Sequence, residues 1–170
     1  MTNIIRHLLA AGATVFFLSN AQAQVAPSAT EYAAYTGLHA AAAKGNIAAI
    51  GRPGANKTKL NDREAYGQTT SRYDGTALIA AAHLGHAEVV RMLIKAGAPL
   101  DHVNNLNWTA LIEPIVLGDG GPNHIACQKA LVHAGADVNI AGGNGVSPLQ
   151  LVQHHGLDET VRILKAAGAK

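Results

Sequence analysis

Apolar side chains along this chain recur at the three- and four-residue spacing of amphipathic helices. In the segment 76–83, for example, Leu78, Ala81 and Ala82 fall at helical spacing on one face. Such segments come in pairs separated by a glycine, and polar stretches rich in Asn, Asp and Gly follow the pairs. The pattern therefore predicts an all-α chain of short helix pairs joined by turns.

The first helix of each predicted pair opens with the same phrase, a Thr or Ser followed closely by Leu. The phrase begins at Thr36, Thr76, Thr109 and Ser147, and the step from Thr76 to Thr109 is 33 residues. A Thr or Ser hydroxyl caps a helix by accepting from a free backbone N–H group. Glycine in the left-handed conformation is predicted to end the helices, at Gly45, Gly85, Gly118 and Gly156 after the first of each pair and at Gly97, Gly135 and Gly168 after the second.

With this phrase and this period, the chain resembles the ankyrin-repeat family from Thr36 to its end. The unit from Thr109 to Gly135 is similar in its phrases to exported or cytoplasmic bacterial members. The resemblance implies an ankyrin-repeat α-solenoid of helix-turn-helix units joined by β-hairpin loops, here 101–108 and 137–146. It also implies that the protein binds other proteins and catalyses nothing. One unit cannot bury its own apolar face, so the units must stack.

The spacing divides the chain into three sound units, 76–108, 109–146 and 147–170, and a degenerate first unit, 36–69. Glycines and a proline at 51–54 interrupt the second helix of that first unit, which predicts a short or absent helix and a loosely ordered stretch at 52–74. The step from Thr109 to Ser147 is 38 residues, and we assign the five extra residues to a loop insertion at 119–123. Three sound units are near the minimum for independent folding, so a diverged remnant that needs its partner stays an alternative.

The first 23 residues have the order of a secretory signal. A cationic start at Arg6 and His7 precedes an apolar run over 8–18 and the small-x-small triplet that ends at Ala23. Cleavage after Ala23 would leave residues 24–35 as an N-terminal spacer before the repeats. No cysteine ends the apolar run, so nothing suggests a lipid anchor. We expect a periplasmic or secreted protein.

Composition excludes several classes of protein. Of the 170 residues, 48% are hydrophobic and 14% charged, which is typical of a globular chain and not of a disordered one. No apolar run reaches the roughly 18 residues of a membrane-spanning helix. Thirteen Lys and Arg against eleven Asp and Glu leave no basic stripe for nucleic acid. We expect a monomer. The single cysteine, Cys127, is predicted to be a buried apolar side chain, with a redox or intermolecular thiol as the alternative.

The inventory of chemical groups predicts no catalytic residue, no cofactor and no metal. Nine histidines are present, yet no Cys pair or Glu–His spacing completes a ligand set, and the adjacent His154 and His155 point about 100° apart on a helix. The glycine-rich segment 118–122 lacks the Lys and the preceding strand of a phosphate loop. Glu113 occupies a position where other units have Ala80 or Leu151. It is predicted either to contact the inserted loop or to belong to a binding surface.

Partner contacts are predicted at the hairpin tips and on the exposed side of the first helices, which form the concave face of a repeat stack. The residues at these positions are Tyr73, His83, Asn105, Leu106, Trp108, Val116, Asp119 and Val146. Trp108 is the preferred anchor because Trp is enriched at interface hot spots. The alternative is that Trp108 packs on its own hairpin and on Tyr73.

Two functions follow from these observations. The first is a non-enzymatic protein–protein interaction module in an exported compartment. The second is an accessory or protective factor for an exported metal- or haem-dependent stress enzyme, in which His83, His86 and His124 handle the metal or haem.

Overall fold

The computed structural model describes residues 30, 35, 37–51 and 75–170. The predicted signal segment 1–23, most of the spacer 24–35 and the stretch 52–74 with Tyr73 lie outside these residues. The helices in chain order are α1 (Gly37–Ala43), α2 (Ile47–Ile50), α3 (Ala77–His83), α4 (Ala87–Lys95), α5 (Glu113–Val116), α6 (Pro122–His133), α7 (Pro148–His155) and α8 (Asp158–Ala166). Over the described ranges no residue lies in a strand, so this part of the chain is all-α.

The helices form two layers. The first helices of successive units, α1, α3, α5 and α7, pack side by side, and the second helices, α2, α4, α6 and α8, form the other layer. Small side chains allow this close packing, since Ala81 and Ala82 of α3 are fully buried next to Leu78. One apolar core runs through all the units, from Ala41 to Leu164.

Local signals start α3 and α7 where the sequence predicts, whereas α5 begins at Glu113, four residues after the predicted cap Thr109, with Ile112 at its N-cap position. The Thr76 hydroxyl accepts from Ile79 N at 3.3 Å, and the Thr109 hydroxyl accepts from Ile112 N at the same distance. Ser147 forms a full capping box with Gln150, and Pro148 lies in the first turn, where no N–H group is needed.

Six of the seven predicted helix-ending glycines have a positive φ, but Gly118 does not. The prediction of a left-handed cap at Gly118 is therefore wrong. Glycine is needed there for space, because a Cβ atom would lie 2.3 Å from the Pro114 carbonyl oxygen and 2.8 Å from Cγ of His124.

The second helix of the first unit, α2, has only four residues. It is capped by Asn46, whose side chain accepts from Ala49 N at 3.0 Å, and it ends at Gly51. The glycine ends the helix at the position where the other units continue their apolar stripe.

The five extra residues of the third unit do not all form a loop. Residues 119–121 form a turn, whereas Pro122 and Asn123 are the first residues of α6, which has 12 residues against nine in α4. Proline at the first helical position has a φ suited to the helix, so the insertion partly lengthens the helix.

None of the helices in the described ranges is both long enough and apolar enough to cross a membrane.

Candidate functional site

The connection between the second and third units is a tight turn, 104–108, which presents side chains to solvent. Its backbone is closed by Asn104 N donating to the Trp108 carbonyl at 3.0 Å and Asn107 N donating to the Asn104 carbonyl at 2.9 Å. Asn105 and Asn107 are exposed and Leu106 is half-buried. Val103, just before the turn, is one of the few large apolar side chains exposed in the described residues.

The Asn104 side chain organises this turn from below. It is buried, and its Oδ1 accepts from Leu106 N at 2.9 Å and from Trp108 N at 3.0 Å. Within the described residues, Asn107 is the one non-glycine residue with a positive φ, 59°. Such a conformation costs an Asn about 1 kcal/mol, and strained residues concentrate at functional sites. Sequence reasoning missed Asn104, although an Asn that precedes a turn is a known capping signal.

Glu113 is a buried residue that accepts a hydrogen bond from the Asn104 side chain. Its carboxylate is fully buried, Oε1 accepts from Asn104 Nδ2 at 2.8 Å, and Oε2 accepts from His83 Nδ1 at 3.0 Å. His83 belongs to the preceding unit, so the cluster joins two units and the turn between them. Both predictions for Glu113 are wrong, because it contacts the 104–108 turn instead of the inserted loop and has no exposed surface.

Trp108 is not available as an exposed anchor, because only 2% of its surface is accessible. It lies beside the next connecting loop, where a Cβ on Gly142 would be 3.4 Å from Trp108 Cδ1. The alternative prediction placed Trp108 on its own hairpin and on Tyr73; the neighbour found at Gly142 belongs to the next connecting loop, and Tyr73 lies outside the described residues. The side chain stabilises the base of the exposed turn.

The structure divides the remaining predicted partner-binding residues by exposure. Asn105 and Asp119 are exposed, Leu106, Val116 and Val146 are half-buried, and His83 is buried. The prediction that His83 lies on the binding surface is therefore wrong, because His83 is buried and belongs to the polar cluster with Glu113.

Asp119 begins the inserted segment and holds His124. Its Oδ1 accepts from Gly121 N at 2.8 Å and from His124 Nδ1 at 2.7 Å. The Gly121 N–H and then the His124 side chain lower the pKa of the Asp119 carboxyl below its ordinary value. The other ring nitrogen, Nε2, donates to the His83 carbonyl at 3.0 Å. The ring lies beside Gly85 and Gly118, at both of which a Cβ would crowd it.

His86 makes the same contact one unit earlier. Its Nε2 donates to the Ala43 carbonyl at 3.0 Å, and its ring lies against Gly45. Ala43 and His83 both stand two residues before the glycine that ends a first helix, so the two contacts are equivalent. His124 preserves this contact between units despite the insertion.

These positions bear on the metal or haem hypothesis. His83 contacts a carboxylate, whereas His86 and His124 contact the backbone of different units. In the part of the chain that the structure describes, no three His, Cys, Asp or Glu side chains are grouped so that they could hold a metal ion. His86 and His124 therefore serve the stacking of the units, and His83 belongs to the polar cluster with Glu113.

The connection between the third and fourth units is an equivalent turn, 142–146. Gly142 N donates to the Val146 carbonyl at 2.9 Å and Gly145 N donates to the Gly142 carbonyl at 3.1 Å. These are the same two backbone bonds as in the 104–108 turn. Gly145, with φ 72°, takes the place of Asn107, and Gly142 takes the place of Asn104.

An open groove of about 830 Å³ lies on the other layer, between α4, α6 and α8. The groove is lined mainly by Ala, Val and Ile side chains. Three basic side chains also line it: Arg91, Lys129 and His133. None of the seven predicted partner-binding residues that the structure describes lines this groove.

Comparison with known proteins identifies the repeats. The family model of ankyrin repeats (three copies) matches residues 38–142. The chain is 34% identical over 100 residues to the ankyrin repeat protein YahD of Escherichia coli (strain K12), an alignment that covers 58% of this chain and 50% of YahD. It is 32% identical over 97 residues to an ankyrin repeat-containing protein of Treponema pallidum (strain Nichols), covering 56% of this chain and 31% of that protein. The chain thus spans half or less of the length of these relatives.

Solved structures agree with this match. An ankyrin repeat domain from Acinetobacter baumannii AYE superposes with a TM-score of 0.65 at 42% identity. The ankyrin repeat protein EF0377 superposes with a TM-score of 0.63 at 28% identity. Each comparison covers 78% of this chain and 64% of the solved chain.

Proposed function

Because the chain belongs to the ankyrin-repeat family, whose stacked units act as protein–protein interaction modules, we propose that it binds a partner protein through the 104–108 turn. Asn105 and Leu106 form the centre of this surface, and Asp119, Val116 and Val146 extend it. The partner is met outside the cytoplasm, after removal of residues 1–23.

The observation that carries this proposal is the combination of exposure and rigidity at the 104–108 turn. Its tip exposes Asn105 and Asn107, while its base is held by buried side chains from two units. A rigid exposed loop binds with less loss of conformational entropy than a mobile one. The unusual φ of Asn107 occurs at the same place. The equivalent turn at 142–146 has a positive φ at Gly145 as well, so this conformation belongs to the turn type, and the support of its base by Asn104, Glu113 and His83 is what distinguishes the 104–108 turn.

The exported location rests on the order of residues in the first 23 positions. A cationic start, an apolar run and the triplet 21–23 are together typical of a cleaved secretory signal. The test is to express the full chain in a bacterium, separate the cell fractions, and determine the mass and N-terminus of the product. A product that begins at Gln24 in the periplasm or medium supports export, and an uncleaved product in the cytoplasm contradicts it.

Partner binding is tested by site-specific photo-crosslinking. A photo-reactive side chain replaces Asn105 in one variant and Lys165 in a control variant. Both residues are exposed, but Lys165 belongs to α8 in the other layer. We expect one defined protein to crosslink at position 105 and not at position 165. Equal crosslinking at both positions, or none at 105, would contradict binding through the turn.

A further inference from the structure

We propose that His83, Asn104 and Glu113 are positioning residues that hold the 104–108 turn in its binding conformation before a partner arrives. The inference rests on the proposed function in one respect, which is that this turn is the binding element. The claim about the conformation of the turn stands on the contacts alone.

The repeat provides an internal comparison for these three residues. In the next unit the equivalent positions are Val116 for His83, Gly142 for Asn104 and Leu151 for Glu113, as the helix-opening Thr76, Thr109 and Ser147 define them. Both turns have the same two backbone hydrogen bonds. The polar trio therefore replaces a trio without any polar side chain, and it is not required for the turn to close.

The polar trio is also not required for the units to stack. Position 113 is Ala80 in the second unit and Leu151 in the fourth, and both of those units pack into the same core. A buried carboxylate with its donors gains little stability over apolar side chains of similar volume, because desolvation offsets the attraction. The stack would accept an apolar residue at 113, so the role of the carboxylate lies in the hydrogen bonds that it accepts.

The Glu113 carboxylate fixes the orientation of the Asn104 side chain. Asn104 donates through Nδ2 to Glu113, and this bond directs its Oδ1 toward the turn. Oδ1 then accepts hydrogen bonds from Leu106 N at 2.9 Å and from Trp108 N at 3.0 Å. The exposed residue Asn107 lies between Leu106 and Trp108 in the chain, and the exposed residue Asn105 directly precedes Leu106. His83 contacts the second oxygen of the same carboxylate and so fixes the plane of that carboxylate.

The test uses two variants of the full chain and amide hydrogen exchange. The first, His83→Val with Glu113→Leu, keeps Asn104 and removes its support. The second adds Asn104→Gly and so installs the complete trio of the next unit, which guards against loss of folding from an orphaned polar group. We expect the amides of Leu106 and Trp108 to exchange about tenfold faster in both variants, as the loss of one hydrogen bond predicts. The amides of Gly142 and Gly145 in the equivalent turn are the control and keep their rates.

Each result decides the inference. Unchanged exchange at Leu106 and Trp108, or an equal increase at Gly142 and Gly145, would overturn it, since the trio would then be a general structural element. This measurement needs no partner, so it stands even if crosslinking at position 105 finds nothing and the proposed function fails. Where a partner is found, we expect its affinity to fall about tenfold in both variants together with the faster exchange. Faster exchange with unchanged affinity would show that the trio does not position the turn for binding, and would leave the proposed function intact.

Discussion

Cys127 lies in the middle of α6, and its burial decides its chemistry. The side chain has no accessible surface, and desolvation raises the pKa of the thiol to about 12 against an ordinary value of 9.0, although the charge of Arg91 acts in the opposite direction. Only a minute fraction of the thiol is ionised at neutral pH, and the thiolate is the reactive form. The structure favours the buried apolar role over a redox or intermolecular thiol.

We therefore expect Cys127 in the folded protein to react with an aromatic disulfide reagent at pH 8 about a thousandfold more slowly than a free cysteine, as the shift in pKa implies. Full reactivity should return in urea. The Asn105→Cys variant is the matched control, because its added thiol lies on the exposed turn and should react at once. Fast modification of the native wild-type chain would contradict the buried assignment.

Glu113 offers a second prediction at the scale of single residues. Replacing it alone by Leu leaves the donors of Asn104 and His83 without the carboxylate, so we expect Glu113→Leu to destabilise the protein by about 3 kcal/mol. The triple variant with His83→Val and Asn104→Gly should recover most of this loss. Urea unfolding followed by circular dichroism measures both. A single variant as stable as the wild type would show that the two donors find other partners.

Among the elements, α6 and α8 are joined by an ion-pair cluster on the second-helix layer. Glu159 on α8 accepts from Arg162 on the same helix and lies 2.9 Å from Nζ of Lys129 on α6. Hydrogen bonds from Arg162 and then Lys129 lower the pKa of Glu159 to about 2. The folded state therefore favours the ionised carboxylate. Its contribution to stability is complete above the unfolded pKa near 4.5 and is lost as the pH falls toward 2.

The Glu159→Gln variant should thus lose less stability than the wild type between pH 4.5 and pH 2, and should be less stable than the wild type at pH 7. The effect will be small because the pair is exposed and screened by salt. The Glu88→Gln variant is the control, because Glu88 pairs with Arg91 of the same helix at 2.7 Å, whereas the pair of Glu159 with Lys129 joins two helices. Thermal unfolding at several pH values measures both. Parallel pH profiles for Glu159→Gln and the wild type would contradict the linkage.

At the scale of the whole molecule, the continuous core predicts one cooperative unit in spite of the short first unit. The core cluster extends from Ala41 in α1 to Leu164 in α8, and each unit contacts its neighbours in both layers. Repeat arrays unfold together when the interfaces between units are strong relative to the single units. The buried Trp108 reports on the centre of the stack.

We expect the urea transition seen by Trp108 fluorescence to coincide with the transition seen by circular dichroism. Emission should shift to longer wavelength as Trp108 becomes exposed. A circular dichroism transition that begins at lower urea than the fluorescence change would show that a terminal unit unfolds separately. It would favour the alternative in which the degenerate first unit depends on a partner.

Much of the fold is readable in the sequence because its signals are local. Caps at Thr76 and Ser147, glycines at helix ends and the spacing of Leu78, Ala81 and Ala82 each act within one or two helical turns. They predicted the helix pairs and the family. They failed at Gly118, where the demand for glycine comes from the His124 ring and not from the backbone conformation.

The candidate site was less accessible to such reasoning. The exposure of Asn105 and Asp119 agrees with their predicted place on the surface, whereas Trp108, His83 and Glu113 are buried. A helical pattern shows that a residue faces a neighbour, but it does not show which side chain of that neighbour it meets.

By itself, then, the sequence determined the repeat, the starts of α3 and α7 and membership of the ankyrin-repeat family, because capping and periodicity depend on residues close in the chain. The tertiary structure alone decided that Glu113 meets His83, 30 residues away, and that His124 meets the His83 carbonyl, 41 residues away. Such contacts depend on how one unit is offset against the next, and that offset is set by the packing of the whole core.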